Sequence, residues 1–395
     1  MSKIEEMIKR LCPNGVERAF LTNIASILYG YPFEASLFTE NDKYIPLIRI
    51  RDILSGTPST FYIGDYSDEY IVKEGDMLVG MDGNFNLRKW KSRNGLLCQR
   101  TCKIESKDES VVLNNYLYHI LVPLFKRIED NTPSGSVKHL SARTINNISI
   151  PLPPLTIQRE IVSVLDSFTT LIDKMKQEVE WRKKQMEYYR EKLLSFEGEE
   201  CDWNSLKELF VIKNGLNKEK KDFGIGTPII NYVDVYKNRG LHKDDIKGLV
   251  NSNESELSRF KCTKGDVFFT RTSETKEEVG FASVLLDEIE NCVFSGFLLK
   301  ATPITNKLDA LYCKYCFFTN QFRQEVEKRA TLTTRALTNS TSLYKISIPI
   351  PPLSTQRSIV STLDAFEQYI SKLERLITLR EKQYAYYREK LLTFE

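Results

Sequence analysis

The steadiest hydrophobic pattern in the chain is a heptad step that occurs twice. From Ile161 the apolar positions advance by four and three through Leu165, Phe168, Ile172, Met175 and Val179, break at Arg182, and resume at Met186, Tyr189 and Leu193. The second run passes through Ile359, Leu363, Phe366, Ile370, Leu373 and Ile377, breaks at Arg380, and resumes at Tyr384, Tyr387 and Leu391. Each run predicts a helix of roughly 40 residues, about 60 Å long at 1.5 Å per residue.

So narrow a stripe needs a partner seam, and each copy has the other available. An antiparallel intramolecular coiled coil is expected, because it gives both helices equivalent surroundings under one pseudo-twofold axis. The alternative is an amphipathic helix lying on its own domain, but such a stripe is usually wider and shorter. Arg182 and Arg380 share one seam position. Either they carry their charges out to water along apolar stems, or they disfavour other registers. Between the last seam positions, Arg190, Glu191, Lys192 and their counterparts Arg388, Glu389, Lys390 are expected to point outward. That face would present the same docking surface twice, to two copies of one partner.

The repetition extends beyond the helices. "YYREKLLSFE" at 188–197 and "YYREKLLTFE" at 386–395 match in nine of ten positions, at an offset of 387 − 189 = 198. At that offset 26 of 47 residues are identical between 151–197 and 349–395, which marks a tandem duplication. "ISIPLPPL" (148–155) and "ISIPIPPL" (346–353) continue it upstream. Fainter matches pair "IPLIRIRDI" (45–53) with "TPIINYVDV" (227–235), "KEGDMLVG" (73–80) with "TKGDVFFT" (263–270), and Leu21, Ile24, Gly30 with Leu206, Leu209, Gly215. The chain therefore divides into a variable domain (1–150), a spacer helix (151–198), a second variable domain (199–348) and a second spacer helix (349–395). Pro151, Pro153 and Pro154 stop the preceding strand, and Thr156 and Ser354 are expected as helix N-caps.

The variable segments read as α+β. Strands are expected at "YIPLIRI", "DMLVGM" and "NISIPL" in the first, and at "PIINYVDV", "DVFFT" and "SVLLD" in the second. "NNYLYHILVPLF" and "LDALYCKYCFFTNQF" read as one helix each at matching points. The fold class is thus two α/β domains alternating with two long helices.

Composition narrows the function. Hydrophobic residues make up 41% and charged residues 28%, as in a soluble globular protein. No apolar run reaches the roughly 18–20 residues needed to span a bilayer, and the N-terminus lacks a secretory h-region, so no membrane role and a cytoplasmic location are expected. The eight cysteines are expected as reduced thiols. Cys313-x-x-Cys316 supplies two of the four ligands of a zinc site and is read as buried packing, with no metal.

A net charge of +3 confines any polyanion binding to local patches. One lies after "DMLVGM": from Gly83 to Lys103 there are six basic residues and no acidic one, with Phe85 and Trp90 interleaved. Basic side chains attract phosphates, Asn and Arg hydrogen-bond base edges, and aromatics offer stacking surfaces. Asn84, Asn86, Arg88, Lys89, Lys91 and Arg93 are the candidate DNA contacts here; a solvated basic face is the plainer alternative. The matching loop "TRTSETKEEVG" adds Arg271, Thr272, Ser273 and Lys276. Two further polar loops precede the "ISIP" strands and add Ser136, Lys138, Thr334 and Arg335. Equivalent loops with different hydrogen-bonding groups suit two readers of different sequences.

Signatures of catalysis are missing. There is no GxxxxGK[ST] loop and no GxGxxG after a strand. In "LPPL" and "IPPL", Leu152 with Leu155, and Ile350 with Leu353, stand where an amino-methyltransferase motif needs a polar residue and an aromatic. Asp76 and Asp266 follow glycine at strand starts and are read as turn caps.

Two variable domains, each followed by "PLPPL-x-x-QR-x-IV-x-x-LD" or its near copy and a helix ending in "YYREKLL-x-FE", resemble the specificity subunit of type I restriction–modification systems. The resemblance covers essentially the whole chain. It implies that each variable domain is a target-recognition domain reading half of a bipartite, asymmetric site on double-stranded DNA. It further implies that the paired helices space the half-sites and dock two modification (methyltransferase) subunits, with restriction (translocase and nuclease) subunits joining. S-adenosylmethionine, ATP and Mg would belong to those partners, with no cofactor and no chemistry in this chain. The competing reading is a tandem-domain coiled-coil scaffold that binds proteins and never DNA.

Overall fold

A computed structural model describes residues 3–133, 138–196 and 201–394. The two heptad runs form helices Leu155–Leu194 and Leu353–Leu392, 40 residues each. The chain divides into two compact units, Met1–Met175 with Leu376–Glu395, and Lys176–Arg375. Each unit thus holds a variable domain, the first half of the helix that follows it, and the second half of the other helix.

In the first unit, a four-stranded sheet runs in the order Ala25–Tyr29, Thr101–Ser106, Met77–Gly80, Leu87–Lys89. Met77–Gly80 is buried throughout, as its continuous apolar run requires for an inner strand. A five-stranded sheet of short strands lies between these in sequence. The helix Asn114–Asn131 carries Pro123 within it and buries Tyr116, Leu117, Leu121 and Phe125. They share one core with Ile161 and Leu165 of the first long helix and Leu391 and Leu392 of the second.

In the second unit, a five-stranded sheet has the order Phe210–Asn214, Leu298–Pro303, Val267–Thr270, Ala282–Leu285, Gly240–Leu241. Two segments differ from expectation. "PIINYVDV" is only half strand: Phe223–Ile230 ends and the helix Tyr232–Lys237 begins, because Asp234 Oδ2 accepts the Asn231 N–H at 2.8 Å and starts a helical turn. "LDALYCKYCFFTNQF" holds two helices, Ala310–Cys316 and Asn320–Arg329. Thr319 interrupts it; its hydroxyl accepts the Phe322 N–H at 3.3 Å and caps the second helix.

The matched residues occupy equivalent places. Asp76 Oδ2 accepts the Lys73 N–H at 2.8 Å, and Asp266 Oδ2 accepts that of Thr263 at 2.8 Å, which are the turn-capping roles expected. Gly30 and Gly215 tolerate no side chain: a Cβ would stand 1.9 Å from the Cys98 carbonyl oxygen and 2.1 Å from that of Ser295.

The seam forms as an antiparallel pair. Within the first unit, Phe168 stacks on Tyr387 at 5.6 Å and 25°. Within the second, Tyr189 stacks on Phe366 with the same distance and angle. The positions sum alike, 168 + 387 = 555 and 189 + 366 = 555, as an antiparallel pair of equivalent helices demands. Ile161, Leu165, Ile172, Ile359, Leu363 and Ile370 are buried, while Phe168, Met175, Tyr189, Leu193 and Leu373 are half-covered. Arg182 extends to Glu178 (2.7 Å) and Gln185 (2.8 Å), with its guanidinium over Tyr369, and Arg380 is exposed; both heads lie along the surface.

Two expectations about the long helices do not hold. Thr156 and Ser354 are not N-caps: the helices begin one residue earlier, and the carbonyls of Pro154 and Pro352 accept the first helical bonds from Gln158 (3.1 Å) and Gln356 (3.0 Å). Nor does Arg190 point outward. It is 7% exposed and binds Glu191, whose other oxygen accepts the Asn320 N–H at 2.9 Å. Arg388 is half-buried over the Tyr384 ring. Within each unit the end of a long helix meets a domain helix, Glu191 at Asn320 and Tyr384 at His119, so positions beside the seam are covered too.

Buried amides join domain to helix. Gln158 Nε2 donates to Pro153 O (2.8 Å) and Val111 O (3.0 Å), and its Oε1 accepts the Leu113 N–H (3.0 Å). Gln356 does the same with Pro351 O (2.7 Å), Lys307 O (2.8 Å) and the Asp309 N–H (2.8 Å). About two turns farther along each helix, Asp364 accepts from Lys314 (2.9 Å) and Tyr315 (2.5 Å), and Asp166 from Asn115 (2.7 Å). Asp166 also meets His119 at 2.7 Å, whose other ring nitrogen lies 3.1 Å from the Tyr384 hydroxyl.

Burial lowers the His119 pKa below its usual 6.5, outweighing the Asp166 carboxylate, and the charges of Lys89 and Arg388 lower it further. The unfolded chain therefore binds more protons below pH 6.5 than the folded one, so this contribution is whole above about 6.5 and is lost as pH falls. Urea midpoints of the wild type should drop on acidification from about pH 7 to 5 more than those of His119→Gln. Equal slopes would show that His119 does not carry the effect.

Candidate nucleic-acid interface

The polar loops that lie far apart in sequence meet in each unit. In the first, the chain leaves Met77–Gly80 and pairs with the segment before the "ISIP" strand: Leu140 N–H donates to Met81 O (2.7 Å) and Gly83 N–H to Lys138 O (2.8 Å). Asp82 binds His139 Nδ1 at 2.6 Å and Arg100 at 3.3 Å, and Met81 N–H donates to Arg100 O at 2.8 Å. In the second, Arg271 N–H donates to Phe297 O (3.0 Å) and Thr338 N–H to Arg271 O (3.0 Å). Thr272–Ser273 pairs with Ala336–Leu337, which pairs with Thr331–Leu332. The frames are equivalent: 271 − 81 = 190, 338 − 140 = 198 and 297 − 100 = 197, all close to the repeat offset.

The candidate residues divide by exposure. Asn84, Arg88, Lys91, Arg93, Thr334 and Arg335 are exposed; Asn86, Lys89, Lys138, Arg271, Thr272 and Lys276 are half-buried; Ser273 is buried. Ser136 lies outside the described residues. Several are tied down. Lys89 donates to Asn115 at 2.8 Å over the Tyr118 ring, and burial lowers its pKa. Lys91 faces Asp173 at 3.4 Å, and Arg93 donates to Asp42 O and Tyr44 O. Lys138 donates to Glu129 O at 2.6 Å, Ser273 to Glu278 at 3.1 Å, and Arg335 faces Glu274 at 3.5 Å. Arg88 stays free for a ligand's approach at the rim of a cavity of about 500 Å³ that Asn86, Lys126, Arg127 and Arg388 also line. These groups offer hydrogen-bond donors and positive charge, the chemistry that phosphates and base edges accept.

The expected stacking role of Phe85 and Trp90 is not met. They are 1% and 2% exposed, and the Trp90 indole N–H donates to Arg93 O at 2.8 Å. Alternation on the strand Leu87–Lys89 turns Arg88 out, with Leu87 buried and Lys89 half-buried beside it. Sequence reading missed Arg100 and Phe297 instead. Arg100 has φ 66° and an exposed side chain, and Phe297, 61% exposed, holds the equivalent turn. The two turns share no residue type, so only the duplicated backbone frame pairs them.

Cys313 and Cys316 are buried in the helix Ala310–Cys316, and burial pushes the Cys316 thiol up to about 12. Among the described residues no group of three or more His, Cys, Asp or Glu is placed to hold a metal ion, and no helix is long and apolar enough to cross a membrane.

The family model described as type I restriction modification DNA specificity domain matches residues 13–180 and 200–381. The chain belongs to this family. Among its relatives, the EcoBI specificity subunit of Escherichia coli is 25% identical over 390 residues, covering 91% of this chain and 81% of that one. The EcoR124I/EcoR124II specificity subunit of Escherichia coli is 30% identical over 314 residues, covering 74% and 73%. The crystal structure of the type I system S subunit from M. genitalium shares the fold, with a TM-score of 0.56, 14% identity, and coverage of 96% and 97%. Each matched span takes in one variable domain and the greater part of the long helix that follows it.

Trp90 offers a test of the division between core and surface. Trp90→Ala should destabilise the first specificity domain by about 3–5 kcal/mol, as loss of a buried aromatic does. Thermal unfolding followed domain by domain reads this; a folded domain of unchanged stability would mean that Trp90 is available to a ligand.

Proposed function

We propose that the chain reads a bipartite, asymmetric DNA site, one half per specificity domain, and directs methyltransferase and restriction subunits to it without chemistry of its own. The observation that carries this reading is the shared main-chain frame with unlike side chains. Met81 and Arg271, and Arg100 and Phe297, hold the same backbone bonds and present different groups. A common frame with divergent surface suits two half-sites that differ in sequence, and base-edge contacts require such variation. The cation-rich loop after Met81 favours nucleic acid over a purely protein-binding scaffold.

Recruitment of two copies of one partner is supported by exposed apolar side chains at equivalent positions of the long helices. Leu171 and Tyr369 are 42% and 44% exposed, Trp181 and Leu379 53% and 49%, and Tyr188 and Tyr386 both 60%. Of the charged docking face expected beside it, Lys192, Glu389 and Lys390 are exposed, Glu191 and Arg388 half-buried and Arg190 buried. The methyltransferase partners would bind S-adenosylmethionine, and the restriction partners ATP and Mg, in the cytoplasm where the DNA lies.

Methylation of random-sequence DNA, with and without the proteins encoded beside this chain, tests the reading. Sequence-dependent methylation is expected only in the complex; methyl transfer by the chain alone would overturn the non-catalytic role. No sequence dependence with an active methyltransferase present would favour the protein-binding scaffold. In the same assay, Arg88→Ala and Arg271→Ala should each relax one half-site by about 1–3 kcal/mol and leave the other intact. For recruitment, Tyr188→Glu with Tyr386→Glu should abolish the complex in size-exclusion chromatography while the chain stays folded. A full complex would exclude the stripe as the docking surface.

A further inference from the structure

We propose that Glu129 and Arg323 are positioning residues that hold the two recognition loops in their reading conformation, an acid under the basic loop and a base under the acidic one. This rests on the reading that these loops contact DNA.

Glu129 stands in the last turn of the helix Asn114–Asn131 and is 7% exposed. Its Oε2 accepts the Phe85 N–H at 2.9 Å, in the loop that leads to Arg88. Its main-chain carbonyl accepts Lys138 Nζ at 2.6 Å, in the loop that pairs with Met81–Gly83. One residue therefore touches both converging segments. Lys126 Nζ, 3.0 Å from Oε1, supplies the counter-charge on the solvent side.

Arg323 does the corresponding work from the helix Asn320–Arg329. Its guanidinium donates to three main-chain carbonyls of the loop: Glu277 O (2.9 Å), Val279 O (2.7 Å) and Gly280 O (3.0 Å). It lies 4.8 Å from the Phe281 ring centre. The loop lies close on this helix: Gly280 has φ +71°, and a Cβ there would come within 2.8 Å of Val326 Cγ1. At the far side of the loop, Glu278 accepts from Ser273 (3.1 Å) and Tyr236 (2.8 Å).

The signs follow from what each loop presents. A carboxylate only accepts and a guanidinium only donates. The first loop turns an N–H inward and carries Arg88, Lys89, Lys91 and Arg93 with no acid; the second turns carbonyls inward and carries Glu274, Glu277 and Glu278 against Arg271 and Lys276, a net charge of 2 − 3 = −1. At the repeat offset Glu129 corresponds to Glu327 (129 + 198 = 327), so Arg323 holds its loop from a different position, one turn earlier. Each domain thus uses an anchor matched to its own loop.

The test uses the full chain in complex with its methyltransferase partner and DNA libraries randomised in one half-site at a time. Glu129→Ala should lower discrimination at one half-site by about tenfold or more, and Arg323→Ala at the other, as expected for loss of a buried hydrogen bond to a charged group. The opposite half-site and the salt dependence of non-specific binding should not move. Glu129→Gln and Arg323→Lys keep an acceptor and a donor, so each should restore part of the loss; if an alanine variant does not fold, a partial loss confined to one half-site in the conservative variant supports the same assignment. Wild-type discrimination at both half-sites, or equal loss at both, would overturn it. Hydrogen exchange in the DNA-free chain reads the anchoring separately: an unchanged Phe85 amide in Glu129→Ala would sink the anchor itself. Absence of half-site preference in the wild-type complex would sink only the DNA reading.

Discussion

Everything in this protein hangs on the need of a narrow apolar stripe for a matching stripe. A helix with a heptad seam cannot bury that seam on a broad domain surface, and duplication supplies a partner of the right length and period within the same chain. Antiparallel pairing then sets Phe168 on Tyr387 in one unit and Tyr189 on Phe366 in the other. Each unit is completed by a segment of chain that lies some 200 residues away in sequence, so neither half of the repeat owns its core alone. Such non-local closure raises the entropic cost of folding and ties the stability of each unit to the integrity of both helices.

The junction between domain and helix is made from polar groups, which is unusual for so buried a place. Gln158 and Gln356 are fully buried, and each has its amide satisfied by three main-chain groups. A buried amide so bonded has one orientation, whereas an apolar contact would allow the domain to slide. Asp166 and Asp364 extend the same joint with partners that differ between the halves, Asn115 and His119 in one, Lys314 and Tyr315 in the other. Invariant acid on the helix and variable partner on the domain is the arrangement that lets domains diverge without losing their seat.

Divergence at the recognition loops obeys the same economy of backbone. Main-chain hydrogen bonds at Met81 and Arg271 hold the loops in equivalent places and say nothing of the side chains they carry. The two loops differ in net charge, and the ionised groups beneath them differ in sign accordingly.

The sequence by itself determined the duplication, both long helices, their antiparallel partnership and the matching places of the polar loops in the two halves, because each leaves a one-dimensional trace: an offset, a period or a shared neighbour such as "ISIP". Only the tertiary structure decided the fate of single residues. Phe85 and Trp90 stand in a basic run and face the core; Arg190 stands between seam positions and is covered by a domain helix; Thr156 yields its capping place to Pro154. Arg100 and Phe297 come into register although the turns that hold them share no residue type. Periodicity reports which face of an element is apolar, whereas burial of one side chain depends on what arrives from elsewhere in the chain, and no local pattern carries that.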